Sequence, residues 1–314
     1  MKVKGKLIEI RRKEDNMVFT HSGTFHADEV FATAILNIVI GVSLTVVRLP
    51  YVPGFAEFVY DIGEGAYDHH QKNKEYRKNG IPYAACGLVW RSFGCAALEA
   101  LGCPEKYISK IFDRVETEII QGIDAVDNGF PMYDKGTKPA YSVLGVSRMI
   151  GDMNPTWEKR ESATDTDALF DSCFLEACSL AEKVLRCSIA KMIAAEKAEN
   201  IINGAIENAS EGVIELPVAV DWQAHICASE QAAECLYVVF PSSRGGYMVQ
   251  AIPVTPGSSE DRKPLPSEWR GLRDEQLEEV TGIKYAMFVH PSGYIGGAYD
   301  RKSALEMAKK AVKM

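Results

Sequence analysis

One run of residues restricts the folds open to this chain more than any other. Between Thr164 and Ala209, Leu169, Phe170, Cys173, Phe174, Ala177, Leu180, Ala181, Val184 and Leu185 recur at three- and four-residue spacing. That is the period of one helix face. At 1.5 Å per residue such a helix spans roughly 60 Å, more than one domain diameter. A chain of 314 residues organised by it is expected to carry one domain before the helix and one after. The expected boundaries are 1–163 for a first domain, 164–211 for a helical connector and 212–314 for a second domain. Glu211-Gly212 stops the helical pattern, and the strand-like stretch Val213–Val220 opens the second domain.

The first seventy residues alternate between strand and helix patterns. Met17–Thr20 reads as a short strand, HSGTFHAD as a polar loop, Asp28–Ile40 as a helix, and Thr45–Leu49 and Phe58–Ile62 as strands. Helices are expected at Gly87–Leu101 and Glu105–Asp127, the latter ended by Asn128-Gly129. Such alternation implies a parallel sheet with ligands at the carboxyl ends of its strands, where His21 and Asp61 fall. The second part has strand patterns at Leu236–Phe240, Tyr247–Val254 and Ala286–His290 and a terminal helix from Arg301, a smaller α+β arrangement. Val30–Val47 is uncharged and long enough to suggest a membrane span. Its Asn37, Gly41, Ser43 and Thr45 and its β-branched second half fit a helix, a break and a buried strand better. The opening MKVKGKLIEIRRKEDNM has no apolar core of signal length. The eight cysteines form no C-x-x-C pair, so reduced and mostly buried thiols in a cytoplasmic protein are expected.

A net charge of -8 argues against a protein that coats nucleic acid through a basic surface. An anionic substrate would have to meet a local basic patch or a bound metal. Four of the six histidines, His21, His26, His69 and His70, lie between residues 21 and 70, where an even spread would place roughly one. Aspartates accompany them: Asp28 on the loop of His21 and His26, Asp61 at a strand end, and Asp68 before the His pair. Mixed imidazole and carboxylate sets suit Mn, Zn or Fe better than Mg alone. The alternative readings are ordinary ones: Asp28 as a helix N-cap, His21 as a loop residue, His69-His70 as a solvated turn. Three separate segments each delivering His and Asp to expected sheet ends favour the metal reading.

The triplet Asp68-His69-His70, the upstream H…H-x-D loop and the aspartate after a strand resemble the DHH phosphoesterase superfamily. That group includes RecJ-type exonucleases and family II inorganic pyrophosphatases. The chain is more similar still to the melanocyte-proliferating-gene family, a branch also labelled metal-dependent protein hydrolase. The similar stretches are THSGTFHADE (20–29), DIGEGAYDHHQ (61–71), GLVWRSFG (87–94), IDAVDNG (123–129), RKPLPSEWRGLRDEQL (262–277) and FVHPSGYIGG (288–297). The resemblance implies a DHH-type parallel-sheet domain followed by a DHH-associated-like domain. It also implies a pair of divalent ions, manganese before Mg, Zn or Fe. His21, His26 and Asp61 would hold one ion, and Asp28, Asp61, His69 and Asp127 the other, with Asp124 as the alternative to Asp127. His70 would face the substrate phosphate, and Asp68 would orient a ligand histidine. The superfamily places an aspartate where His26 stands, Ala27 replaces a frequent cysteine, and the loop from Asp61 to Asp68 is short. None of these departures removes a ligand.

By the same resemblance the expected activity is a two-metal phosphodiesterase trimming single-stranded RNA or short oligonucleotides from the 3′ end. Family members in eukaryotes are nuclear or mitochondrial, and a homo-oligomer is compatible with the sequence. In the second domain Arg262, Lys263, Arg270 and Arg273 surround Trp269. They read either as a grip for phosphates and a base or as a solvated loop with a tryptophan plug. His290 reads as a substrate contact or a structural histidine, and Gly296 and Gly297 as a backbone approach to a phosphate or terminal nucleotide. Two other functions stay open at this point: a small-molecule phosphohydrolase acting on pyrophosphate or a dinucleotide, and a non-catalytic metal-stabilised binding module.

Overall fold

A computed structural model describes residues 2–4, 16–40, 44–133, 137 and 141–314, with only the backbone described for 2–4. The N-terminal stretch 5–15, part of the segment read as lacking a leader, lies outside the described residues, as do Gly41 and Ser43 of the expected break. The described chain divides into two compact units, Met1–Ile193 and Ala194–Met314.

In the first unit, strands β1 (Lys2–Lys4), β2 (Met17–His21) and β3 (Thr45–Leu49) form a parallel sheet in the order β1-β3-β2. All five residues of β3 are buried, as expected for a central parallel strand covered on both faces. Helix α1 (Ala27–Ile40) crosses from β2 to β3 and is buried over most of its circumference. The segment read as a strand at Phe58–Ile62 pairs with β2 only through Phe19 and Val59. Its Phe58 carbonyl and Tyr60 N–H bond Phe19 at 2.9 and 3.0 Å. It stops there because Asp61 turns into the left-handed region with φ 55°, which no strand accommodates. Helices α2 (Ala85–Ala100), α3 (Glu105–Val115) and α4 (Gln121–Asp127) follow, with one π-turn at Glu116–Ile120 joining the last two. α5 (Val146–Asp152) and α6 (Trp157–Ser162) precede the long helix α7 (Thr166–Glu207).

Helix α7 supplies core to both units. Phe174, Ala177, Cys178, Ala181, Leu185 and Ile189 lie in the core of the first. Ala198, Ile202, Ala205 and Ile206 lie in a core of the second. The second unit holds a five-stranded mixed sheet of β4 (Val213–Glu215), β5 (Tyr237–Pro241), β6 (Tyr247–Ala251), β7 (Ala286–Val289) and β8 (Ile295–Ala298) in the order β4-β5-β6-β8-β7. β4 and β5 are parallel and the other neighbours antiparallel. Helices α8 (Gln223–Ala228), α9 (Asp274–Thr281) and α10 (Arg301–Lys313) complete it. α10 starts at Asp300, whose carboxylate accepts the Ser303 N–H at 2.9 Å, an N-cap of the usual kind. β4 is shorter than the expected 213–220 strand, which Pro217 interrupts.

The architecture is therefore mixed α/β, with one parallel and one mixed sheet. Among the described residues no helix is long and apolar enough to cross a membrane. None of the eight cysteines forms a disulfide, and four are buried.

Candidate metal centre

The carboxyl ends of β2 and of the Phe58–Tyr60 segment place His21 and Asp61 together, as a parallel sheet directs. Asp61 Oδ2 lies 3.2 Å from His21 Nε2, and Asp61 Oδ1 lies 3.3 Å from His69 Nδ1. The left-handed backbone at Asp61 is a strained conformation for a residue with a side chain, a kind of strain that concentrates at functional sites. His26 occupies the N-cap of α1, its backbone N–H donating to both carboxylate oxygens of Glu29 at 2.8 and 3.0 Å. That is half of a capping box, with histidine in place of serine. Asp28 therefore sits inside the first turn and is not the cap. It is fully buried, and its Oδ2 accepts the Ala85 N–H at 3.3 Å. The loop carrying His26 is fixed from two sides. Asn154 accepts the Phe25 N–H at 3.0 Å and donates to the Phe25 carbonyl at 2.8 Å. The buried Arg48 donates to the Gly23 carbonyl at 2.8 Å and is paired with Asp171 at 3.0 Å.

His69 bridges this floor to α4, with its Nε2 3.0 Å from Asp127 Oδ2 and its Nδ1 3.7 Å from Asp28 Oδ2. Asp68 does not hold His69. It accepts the His70 ring nitrogen Nδ1 at 2.8 Å, the His70 N–H at 3.0 Å and the Glu64 N–H at 2.6 Å, so the histidine that it orients is His70. The His70 ring stacks on His69 with centroids 4.2 Å apart and stays mostly exposed. His21, His26, Asp61, Asp68, His69, His70 and Asp127 line one cavity of about 920 Å³ with Ile62, Gly63, Lys74, Val126 and Arg148 on its walls, and the buried Asp28 lies behind His69.

The floor concentrates negative charge. Burial, with the charges of Asp61, Glu29 and Asp127 beside it, pushes the Asp28 carboxyl well above its ordinary range. Burial also raises Asp61 against the opposing pull of His21. At His21, desolvation is overcome by bonds to Asp61 and Glu29, which hold the imidazolium up to about 10. At His69, desolvation is likewise outweighed by Asp127 and Asp61, so the ring is raised. Side-chain atoms of His21, His26 and Glu29, of His26, Asp28 and Asp127, of Asp28, Glu29 and Asp61, and of Asp61, Asp68, His69 and His70 each converge within 4.8 Å. Three buried atoms in these groups, Asp28 Oδ1, Asp61 Oδ1 and His69 Nδ1, make no hydrogen bond, although the last two face each other at 3.3 Å. Buried polar atoms are almost always satisfied. Three unsatisfied atoms within the converging carboxylate and imidazole groups fit a cation, and the oxygen and imidazole donors fit Mn, Zn or Fe.

Glu29 belongs to this cluster and is not among the ligands expected from the sequence. The available signal was its position three residues after His26, where a capping-box acid is expected. Asp124, the alternative to Asp127, faces elsewhere. Its carboxylate accepts from Arg77 at 2.7 Å and from the Gly87 N–H at 3.0 Å, and burial pushes it up to about 7 although Arg77 opposes. It occupies the space that a side chain at Gly87 would need.

The cations expected to grip substrate in the second unit are engaged internally. Arg262 donates to the carbonyls of Ala232, Ala233 and Cys235 at 2.6–3.2 Å, Lys263 to Val312 at 2.8 Å, and Arg270 to Leu265 at 2.9 Å. Arg273 lies over the Phe288 ring at 5.6 Å. Trp269 is 1% exposed within the core, so its indole has no free face for a base. Gly296 and Gly297 lie within β8, where a Cβ would meet the Phe288 carbonyl oxygen at 2.8 Å and that of Tyr247 at 3.0 Å. They allow close strand pairing rather than approach to a phosphate. His290 is exposed, bonded to Ser292 Oγ at 2.8 Å.

The profile of the MYG1 exonuclease family, described as uncharacterised protein family UPF0160, matches residues 17–312. The chain belongs to this family. A MYG1 protein of Schizosaccharomyces pombe is 32% identical over 94% of this chain and 97% of its own. Proteins named MYG1 exonuclease from Rattus norvegicus and Homo sapiens are 30% and 28% identical, each over 92% of this chain and over 83% and 84% of their own. No solved structure matches the chain. The MYG1 match spans both units and every residue of the cavity floor.

Proposed function

We propose that the cavity of the first unit is a divalent-cation centre that hydrolyses phosphodiester bonds. In this reading the chain is a 3′–5′ exonuclease of the DHH superfamily on single-stranded RNA or short oligonucleotides. The observation that carries the reading is the convergence of His21, His26, Asp28, Asp61, His69 and Asp127, with Asp28 Oδ1, Asp61 Oδ1 and His69 Nδ1 unsatisfied, beside an open cavity. The name MYG1 exonuclease borne by relatives supports the nuclease half of it. His21, His26 and Asp61 would hold one ion, and Asp28, Asp61, His69 and Asp127 the other, manganese being favoured; Glu29 adds a further carboxylate. Such ions supply charge neutralisation at phosphorus and acidify water to a nucleophile near neutral pH.

The chain's own residues have separate tasks. Asp68 orients His70 through its ring Nδ1 at 2.8 Å and holds the ring on the cavity wall, where the substrate phosphate would lie. Asn154 and Arg48 keep the 22–26 loop in place, so the donors of β2 and α1 need no rearrangement. Ile62, Ala27 and Val126 add apolar lining to this cavity.

The test is hydrolysis by chelator-washed protein before and after manganese addition, on 5′-labelled RNA oligomers, pyrophosphate and a cyclic dinucleotide in parallel. Metal-dependent shortening of the RNA from its 3′ end is expected. Full turnover without metal overturns the reading, and turnover of pyrophosphate alone replaces it with a small-molecule phosphohydrolase. Oligonucleotide binding without turnover of any substrate would reduce it to a binding module.

A further inference from the structure

The acidic floor attracts cations and repels phosphates, so a phosphate chain needs positive charge at the entrance. Only two permanent cations line the cavity among the described residues, Lys74 and Arg148. Lys74 follows the Asp68-His69-His70 triplet, and its ammonium donates to Asn128 Oδ1 at 2.7 Å, next to Asp127. Arg148 lies on α5, with Asp152 at a loose 3.8 Å and 65% of its side chain exposed.

Lys74 stands at the base of a short hairpin. Tyr76 pairs with Pro82, and Arg77 N–H bonds the Ile81 carbonyl at 2.9 Å. Arg77 pins the hairpin by bonds to Glu116 at 2.5 Å and Asp124 at 2.7 Å and lies 3.9 Å from the Tyr83 ring centroid. Glu75 is taken by Arg91 at 2.5 Å. The exposed residues of the pinned hairpin include Lys72, Lys74, Lys78 and Tyr76, the last 62% exposed, with Glu75 the one acid among them and already paired. Lysines interleaved with an exposed aromatic ring on a fixed support suit phosphates and a stacked base.

We propose that Lys74 and Arg148 contact the phosphates of a single-stranded oligonucleotide at the cavity mouth, and that the 72–78 hairpin carries its flanking nucleotides. The first unit then grips its own substrate. This rests on the phosphodiesterase reading above.

The test compares intact protein with Lys74→Ala/Arg148→Ala by anisotropy of a fluorescein-labelled oligouridine between about 50 and 200 mM salt. The double variant is expected to bind about tenfold more weakly, with a slope of log affinity on log salt shallower by about 1.4, or roughly 0.7 per lost contact. Lys74→Arg/Arg148→Lys is expected to restore the slope, and Arg273→Ala to keep the intact slope. An unchanged slope in the double variant, a shallower slope in Arg273→Ala, or no binding by intact protein overturns the proposal. Manganese calorimetry on intact protein is the separate readout: absence of manganese binding refutes the metal centre, whereas the salt slope judges the grip alone.

Discussion

Two regions of this chain carry equally suggestive sequence, and the structure treats them in opposite ways. At the acidic cluster of the first unit, polar atoms of Asp28, Asp61 and His69 are buried without a hydrogen bond. In the stretch 262–297, Arg262, Lys263 and Arg270 find carbonyl oxygens within their own unit, and Trp269 is packed into core. A buried polar group without a partner costs about 1–3 kcal/mol, a penalty that persists where a ligand removes it. A satisfied one is already explained by the fold. The difference teaches that the location of unmet hydrogen-bonding capacity, and not the mere presence of charged or aromatic residues, marks the chemistry.

That contrast can be broken first at Asp61. Asp61→Asn is expected to lower kcat on the order of 10⁴-fold, as when one member of a unit is removed, with the thermal transition retained. Near-normal turnover would dissolve the distinction between the regions. Trp269→Ala is expected to cost about 3–5 kcal/mol in denaturant unfolding, the usual range for emptying an aromatic site. A loss of oligonucleotide affinity at unchanged stability would return the indole to the substrate. Asn154→Ala sharpens the comparison from within the first unit. By freeing the backbone of Phe25 it is expected to weaken manganese binding about 10–100-fold, read by calorimetry, and an unaltered affinity would show that the loop needs no such clamp. Arg262→Met strands three carbonyls and should destabilise by about 1–3 kcal/mol, while kcat/KM of the folded protein stays put.

Much of the first unit was legible in the sequence because its signals are local. The strand–loop–helix order around His21 and the single helical path from Glu105 to Asp127 follow from periodicity, and the π-turn inside that path leaves the period almost intact. The convergence of His21, Asp61 and His69 was legible because parallel strands deliver their carboxyl ends to one edge. Other features depended on partners far away in sequence. Asp124 and Asp127 share a helix and were separable only by Arg77 and Gly87, which claim the former. Strand β8 was hidden because Gly296-Gly297 reads as a turn until β6 and β7 are seen to close on both sides of it. The internal carbonyls that occupy Arg262 come from residues 27 to 30 positions earlier, beyond any local pattern.

The interlock of Gly87 and Asp124 has a further consequence for how this lineage can drift. A methyl group at position 87 would collide with the carboxylate, and a shorter residue at 124 would strand Arg77, a side chain that is 6% exposed. Each single step is therefore penalised, and the paired step relieves the clash between methyl and carboxylate while Arg77 Nη2 and Tyr83, at 2.6 and 2.8 Å, still crowd position 87. Measured as a double-mutant cycle, Gly87→Ala with Asp124→Ser should be less damaging than the sum of its halves.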